Sequence, residues 1–155
     1  MRDFQSPARS AVYAPTAMAA TSHPRATLAA IDTLKADGNA MDAAVCAAAV
    51  LAVIEPHMTG IGGDCFVLYA PAGKKIIAYN GSGAAVGAAE ASWYLERGMD
   101  SIPATSPHAV TIPGAIEAWH RLTLDHGRKE FAELLRPAIA LAEDGYPIPP
   151  RVAAD

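Results

Sequence analysis

A glycine cluster, Gly60-Ile61-Gly62-Gly63, is the first stretch of this sequence with a chemical reading. Backbone without side chains turns tightly or lies close to a ligand. A dinucleotide fingerprint looks similar, but it follows a strand and opens a helix, so that the helix N-terminus meets the pyrophosphate. Here a helical pattern precedes the glycines and a strand pattern follows them, so nucleotide binding is not expected. Two readings stay open: close backbone packing, or the floor of a ligand site. Asp64 comes next and is read either as a holder of loop amides or as a group lining that site.

Ser82 lies between Gly81 and Gly83. This is not the nucleophile elbow GxSxG, and nothing local offers the hydroxyl a base. Ser82 is therefore a turn residue or a substrate contact, not a nucleophile. His23 and His57 sit beside prolines at element boundaries, where a satisfied structural histidine is the plain reading and a place near the site the alternative. Neither has metal-ligand spacing to a Cys, His or carboxylate, and the chain has no HExxH or CxxC. No metal or cofactor is implied. His108, His120 and His126 are expected to face solvent. Cys46 and Cys65 stand in apolar runs and read as buried free thiols in a reducing compartment, with a catalytic thiol as the lesser reading. No complete catalytic set emerges from these residues.

The elements that must position them follow from hydrophobic pattern and punctuation. Thr16–Thr21 is read as a short buried strand after an irregular arm over 1–15. His23-Pro24 opens a helix, with Leu28, Ile31 and Leu34 as its apolar face and Gly38 as a left-handed stop. Asn39 caps a second helix, 40–54, and Asp42 sits at its positive end. That helix is apolar nearly all round, so layers are expected on both of its sides. Phe66–Tyr69 and Ile76–Tyr79 form a hairpin turning at Pro71. Helices are expected over 88–97, from Thr111–Gly114 to about His126, and over 130–144, the last kinked at Pro137. Arg151–Asp155 reads as the first turn of another helix, so the chain is expected to be a segment of something longer.

Composition narrows the function classes. The chain has 155 residues, 52% hydrophobic and 18% charged, with net charge −4 and 35 alanines. A general nucleic-acid binder needs a basic face, which this balance does not supply. The longest apolar run, Ala43–Ile54, is too short to span a bilayer. Residues 1–15 carry Arg2, Asp3 and Arg9 and no apolar core, so they do not read as a secretory signal. A soluble cytoplasmic protein is expected, with neither nucleic acid nor membrane as partner.

The motifs Ser22-His23-Pro24, Gly38-Asn39-Ala40-Met41-Asp42-Ala43-Ala44, Val53-Ile54-Glu55-Pro56-His57 and Gly60-Ile61-Gly62-Gly63 together resemble the gamma-glutamyltransferase family. Pro113-Gly114 before a helix, and the run from Glu133 to Pro147, look like that family too. The resemblance covers nearly all of 1–155 and places it at the N-terminal part of the large subunit. It implies an α+β fold, part of an αββα N-terminal nucleophile hydrolase sandwich. It also implies a precursor that cleaves itself into a large and a small subunit. The small subunit's new N-terminal threonine attacks an amide, with its own amine as base. The acyl-enzyme then passes to water or to an amine. No catalytic residue falls in this chain, which alone is expected to be inert, and the small subunit is its implied partner.

One departure bears on specificity. In the transpeptidases an arginine just after the second hairpin strand grips the substrate's α-carboxylate. Here that stretch is Asn80-Gly81-Ser82-Gly83-Ala84-Ala85-Val86, and no arginine occurs between Arg25 and Arg97. Ser82 falls about where the arginine would be, and a hydroxyl does not replace a guanidinium against a carboxylate. The expected protein cleaves gamma-glutamyl or related small-molecule acyl amides, with a preference nearer the cephalosporin-acylase side of the family. The alternative is a non-catalytic, degenerate member that serves as a binding or scaffold subunit.

Overall fold

The computed structural model describes residues 11–154, and of Arg151 the backbone only. The elements run α1 (Pro24–Lys35), α2 (Ala40–Ile54), β1 (Cys65–Tyr69), β2 (Ile77–Gly81), α3 (Ala91–Leu95), α4 (Ala115–His126), α5 (Phe131–Asp144) and α6 (Pro150–Ala154), with a 3-10 turn at Pro107–Ala109. Helix α2 is the centre. Met41, Val45, Cys46, Val50 and Ile54 are buried on it, and only Ala40 and Ala44 are exposed. It packs chiefly on α1 and α5, with α4 beside them. The expectation of cover on both sides holds, but the cover is mostly helical. The hairpin adds Cys65, Val67, Tyr69 and Tyr79 at the edge of this core. The small side chains explain the close fit of α1 to α2, since Ala26, Ala29 and Ala30 let the two backbones approach.

The start of α2 is a capping box. Asn39 Oδ1 accepts from the amides of Met41 and Asp42, and Asp42 Oδ2 accepts from the Asn39 amide at 2.7 Å. Asp42 is fully buried and also accepts from the Arg128 and Lys129 amides, at 3.0 and 3.3 Å through Oδ1. Asn39 Nδ2 donates to the His126 carbonyl. The first turn of α2 is thereby knotted to the α4–α5 connection, 86 residues away in sequence. At the other end of the pair, Ser22 Oγ donates to Glu55, joining the entry of α1 to the exit of α2.

β1 and β2 pair antiparallel, from Cys65 opposite Gly81 to Tyr69 opposite Ile77. The Pro71 carbonyl accepts from the Lys74 amide at 3.0 Å, and Gly73 has φ 70, the geometry of a type II turn. Alternation gives the hairpin two faces. Cys65, Val67, Tyr69 and Tyr79 turn inward, while Phe66 and Leu68 are 68% and 80% exposed on the outer face.

Several sequence expectations are corrected. Thr16–Thr21 is not a strand: it runs irregular and largely exposed beside the alanines of α1 and α2, where no strand lies to pair with it among the described residues. The buried face of α1 is Ala26, Ala29 and Ala30, while Leu28 is 49% exposed. The left-handed residue after α1 is Asp37, φ 65, not Gly38. Gly38 is needed for a different reason, because a Cβ there would lie 2.7 Å from the Thr33 carbonyl oxygen. Helix α3 covers Ala91–Leu95 only, short of 88–97. Helix α5, by contrast, forms where it was expected, with Pro137 in its interior. Residues 1–10 of the expected arm and Asp155 of the last helix lie outside the described residues.

Candidate functional site

Three loops meet at the N-terminus of α4. The Gly63 carbonyl accepts from the Gly114 and Ala115 amides at 3.1 and 3.0 Å, so the glycine cluster caps a helix that has no side-chain cap of its own. Thr111 Oγ1 donates to the Ser82 carbonyl at 3.0 Å, and the Ile112 amide donates to the Ala84 carbonyl at 3.0 Å. These two bonds clamp residues 82–84 against 111–112. The clamp is possible because Gly81, Gly83 and Gly114 carry no Cβ: one at Gly114 would overlap the Gly81 carbonyl oxygen, and one at Gly83 the Ile112 carbonyl oxygen.

Ser82 stands just past the end of β2 and is half-buried. Its amide donates to Asn80 Oδ1 at 3.0 Å, an Asx turn that fixes the Asn80 side chain against the Ser82 backbone. Asn80 is exposed and shares the outer face of the hairpin with Phe66, its direct cross-strand neighbour. Sequence reasoning missed Asn80 and Thr111. Asn two residues before a Ser in a glycine stretch was a visible Asx-turn signal, whereas Thr111 is 29 residues from its partner and carried none.

The glycine cluster divides between the two readings left open. Gly63 works through its carbonyl, yet a Cβ at Gly60 or Gly62 would meet nothing within 4 Å, so backbone packing does not explain those two. Ile61 is 62% exposed on the same loop, and Asp64 is exposed where the loop enters β1. His57 is exposed after α2. His23 is structural: its Nδ1 accepts from the Arg25 amide and caps α1, which leaves Nε2 to carry the proton and donate to Tyr146 Oη at 2.7 Å. Of the histidines expected in solvent, His108 and His120 are exposed, while His126 is half-buried against Tyr69 with ring centroids 5.3 Å apart. A groove of about 470 Å³ lies elsewhere, between α1 and α5 over Cys46 and Val50, and none of Ser82, Asp64, His23 and His57 lines it.

Cys46 and Cys65 are both free thiols. Burial pushes both up from the ordinary thiol range, with the Cys46 side chain only 1% exposed. A raised pKa means less thiolate at a given pH, hence a poorer nucleophile. Alkylation of the native protein at pH 8 is expected to be slow at both, slowest at Cys46, and fast at both in denaturant. Rapid native labelling of Cys46, read by mass spectrometry, would contradict its place in the core.

The profile of the gamma-glutamyltranspeptidase family matches residues 26–155. The glutathione hydrolase-like YwrD proenzyme of Bacillus subtilis is 38% identical over 133 residues, covering 84% of this chain and 25% of that protein. The oxamate amidohydrolase proenzyme of Klebsiella pneumoniae is 40% identical over 137 residues, covering 84% and 26%. Among solved structures, cephalosporin acylase from Bacillus halodurans overlays with TM-score 0.86 at 39% identity, covering 99% of this chain and 29% of that one. The gamma-glutamyltranspeptidase of Helicobacter pylori overlays with TM-score 0.83 at 31% identity, covering 93% and 42%. The chain thus spans about a quarter of the length of these curated relatives. Its α+β arrangement is the one expected of part of an N-terminal nucleophile hydrolase sandwich. The match of the family profile over residues 26–155, together with an overlay that covers 99% of the chain, makes this chain a member of the gamma-glutamyltranspeptidase family.

Proposed function

We propose that this chain supplies one wall of the acyl site of an N-terminal-threonine amidohydrolase or acyltransferase. The observation that carries the reading is the outer face of the hairpin. It is apolar and uncovered at Phe66 and Leu68, yet ends in the clamped polar pair Asn80 and Ser82. A two-stranded sheet with an exposed apolar face is not stable alone and calls for a partner layer. The small subunit of the same precursor is that layer. Its threonine Oγ attacks the amide carbon, the proton passes to the threonine's α-amine and on to the leaving amine, and the acyl-enzyme is released to water or to a second amine. Relatives named as glutathione hydrolase, oxamate amidohydrolase and acylase proenzymes support this class of reaction.

Ser82 is the substrate contact, on the acyl group of the donor. With no arginine between Arg25 and Arg97, the acyl preference lies away from gamma-glutamyl and toward related amides. The free thiols Cys46 and Cys65 suit a reducing compartment, and the cytoplasm is proposed on that basis.

The test is the full-length protein, followed on a gel for self-cleavage and then assayed on a panel of acyl-amide donors. Cleavage with turnover is expected, and Ser82→Ala is expected to raise KM about three- to tenfold, the loss of one hydrogen bond. A protein that neither cleaves itself nor turns over any donor is a degenerate binding subunit instead. Efficient glutathione hydrolysis would overturn the altered acyl preference.

A further inference from the structure

We infer that Asn80 is a specificity-determining residue, and that its side-chain amide selects donors whose acyl group carries a neutral hydrogen-bond acceptor, a carbonyl or hydroxyl oxygen. The inference rests on the acyl-site reading above and names the substrate class for it. Asn80 Oδ1 is engaged by the Ser82 amide at 3.0 Å. That bond settles the direction of the amide group, so Nδ2 is the end left to present, with two donor hydrogens and no acceptor. The residue is exposed on the outer hairpin face, directly across from Phe66, which is itself 68% exposed. Side chains paired in this way stand about 5 Å apart. An aromatic wall beside a fixed N–H donor is the usual make-up of a small-molecule site: apolar surface for the body of the ligand, one polar group for its orientation.

Charge sets the class. The lysines on the hairpin, Lys74 and Lys75, follow Pro71 at the turn, while Asn80 lies at the opposite end near the Cys65–Gly81 pair. Beside the Ser82 hydroxyl, and with the exposed Asp64 carboxylate at the same end of the hairpin, the neutral Asn80 donor discriminates by whether the ligand offers it an acceptor, because an unmatched donor loses its water for nothing.

Asn80→Asp in the full-length, self-cleaved enzyme separates recognition from structure. Aspartate keeps an oxygen for the Ser82 amide but replaces the N–H donor with a second acceptor. With a donor whose acyl group bears a carbonyl or hydroxyl oxygen, KM is expected to rise about tenfold. With a plain alkanoyl amide KM is expected to hold within about twofold, and the thermal midpoint to stay where it was, because the turn is intact. Equal effects on both donors, or no effect on either, would overturn the assignment of Asn80 and leave the acyl-transfer reading standing. A Ser82→Ala enzyme with unchanged KM, beside an Asn80→Asp enzyme with the expected split, would remove the Ser82 contact and retain Asn80. A precursor that never cleaves itself removes the acyl-transfer reading and this inference together.

Discussion

Asp42→Ala is expected to lower the unfolding free energy by about 3–5 kcal/mol, measured as a fall in the urea midpoint with little change in slope. The reason is the number of donors that this one carboxylate serves. It accepts from the amides of Asn39, Arg128 and Lys129 in a place with no exposure at all. Truncation strips those amides of their partner, opens a cavity no water-filled surface relieves, and removes half of the capping box of α2. An unpaired buried donor costs about 1–3 kcal/mol, and the helix cap adds about 1. Asp42→Asn keeps one acceptor oxygen and is expected to cost about half as much. A loss under about 1 kcal/mol for the alanine variant would show that the knot between α2 and the α4–α5 connection does not hold the fold together.

Asp42 also marks how far the sequence could be read. Its place three residues after Asn39 announced the helix start, and the helix came out at Ala40–Ile54 as the pattern required. The contacts to Arg128 and Lys129 had no local signature, because they depend on how the α4–α5 connection folds back. The same division runs through the chain. The hairpin, the stop at Gly127 and the run of α5 were legible from alternation, glycine and helical spacing. Thr16–Thr21 was misread because small apolar residues fit a strand or an extended segment lying on alanines equally well, and only a neighbouring strand decides. On α1, Leu28 outweighs alanine in any count of hydrophobicity, yet the helix turns its alanines to α2 for the sake of close approach. In the candidate site, the proposed contact Ser82 is singled out by the stretch that stands at the position of the arginine motif. Thr111, which holds the Ser82 carbonyl, came only with the fold.

Gly83→Ala tests that clamp most severely, with an expected cost of about 3 kcal/mol or more. Two effects add. Gly83 has φ 72, where an alanine is strained by about 1 kcal/mol. Its new Cβ would also overlap the Ile112 carbonyl, a backbone atom that no rotamer change can move aside. The chain must part there, and the bonds from Thr111 Oγ1 to the Ser82 carbonyl and from the Ile112 amide to the Ala84 carbonyl go with it. Residues 82–84 then lose their fixed place at the end of β2, so under the proposed function substrate affinity of the full-length protein is expected to fall as well as stability. Gly62→Ala is the matched control, since a Cβ there meets nothing within 4 Å. It is expected to change the unfolding free energy by no more than about 0.5 kcal/mol. Equal midpoints for the two variants in thermal unfolding would mean that the contact of Gly83 with Ile112 does not position the loop. A large loss at Gly83 alone ties the placement of Ser82 to a backbone approach that only glycine permits.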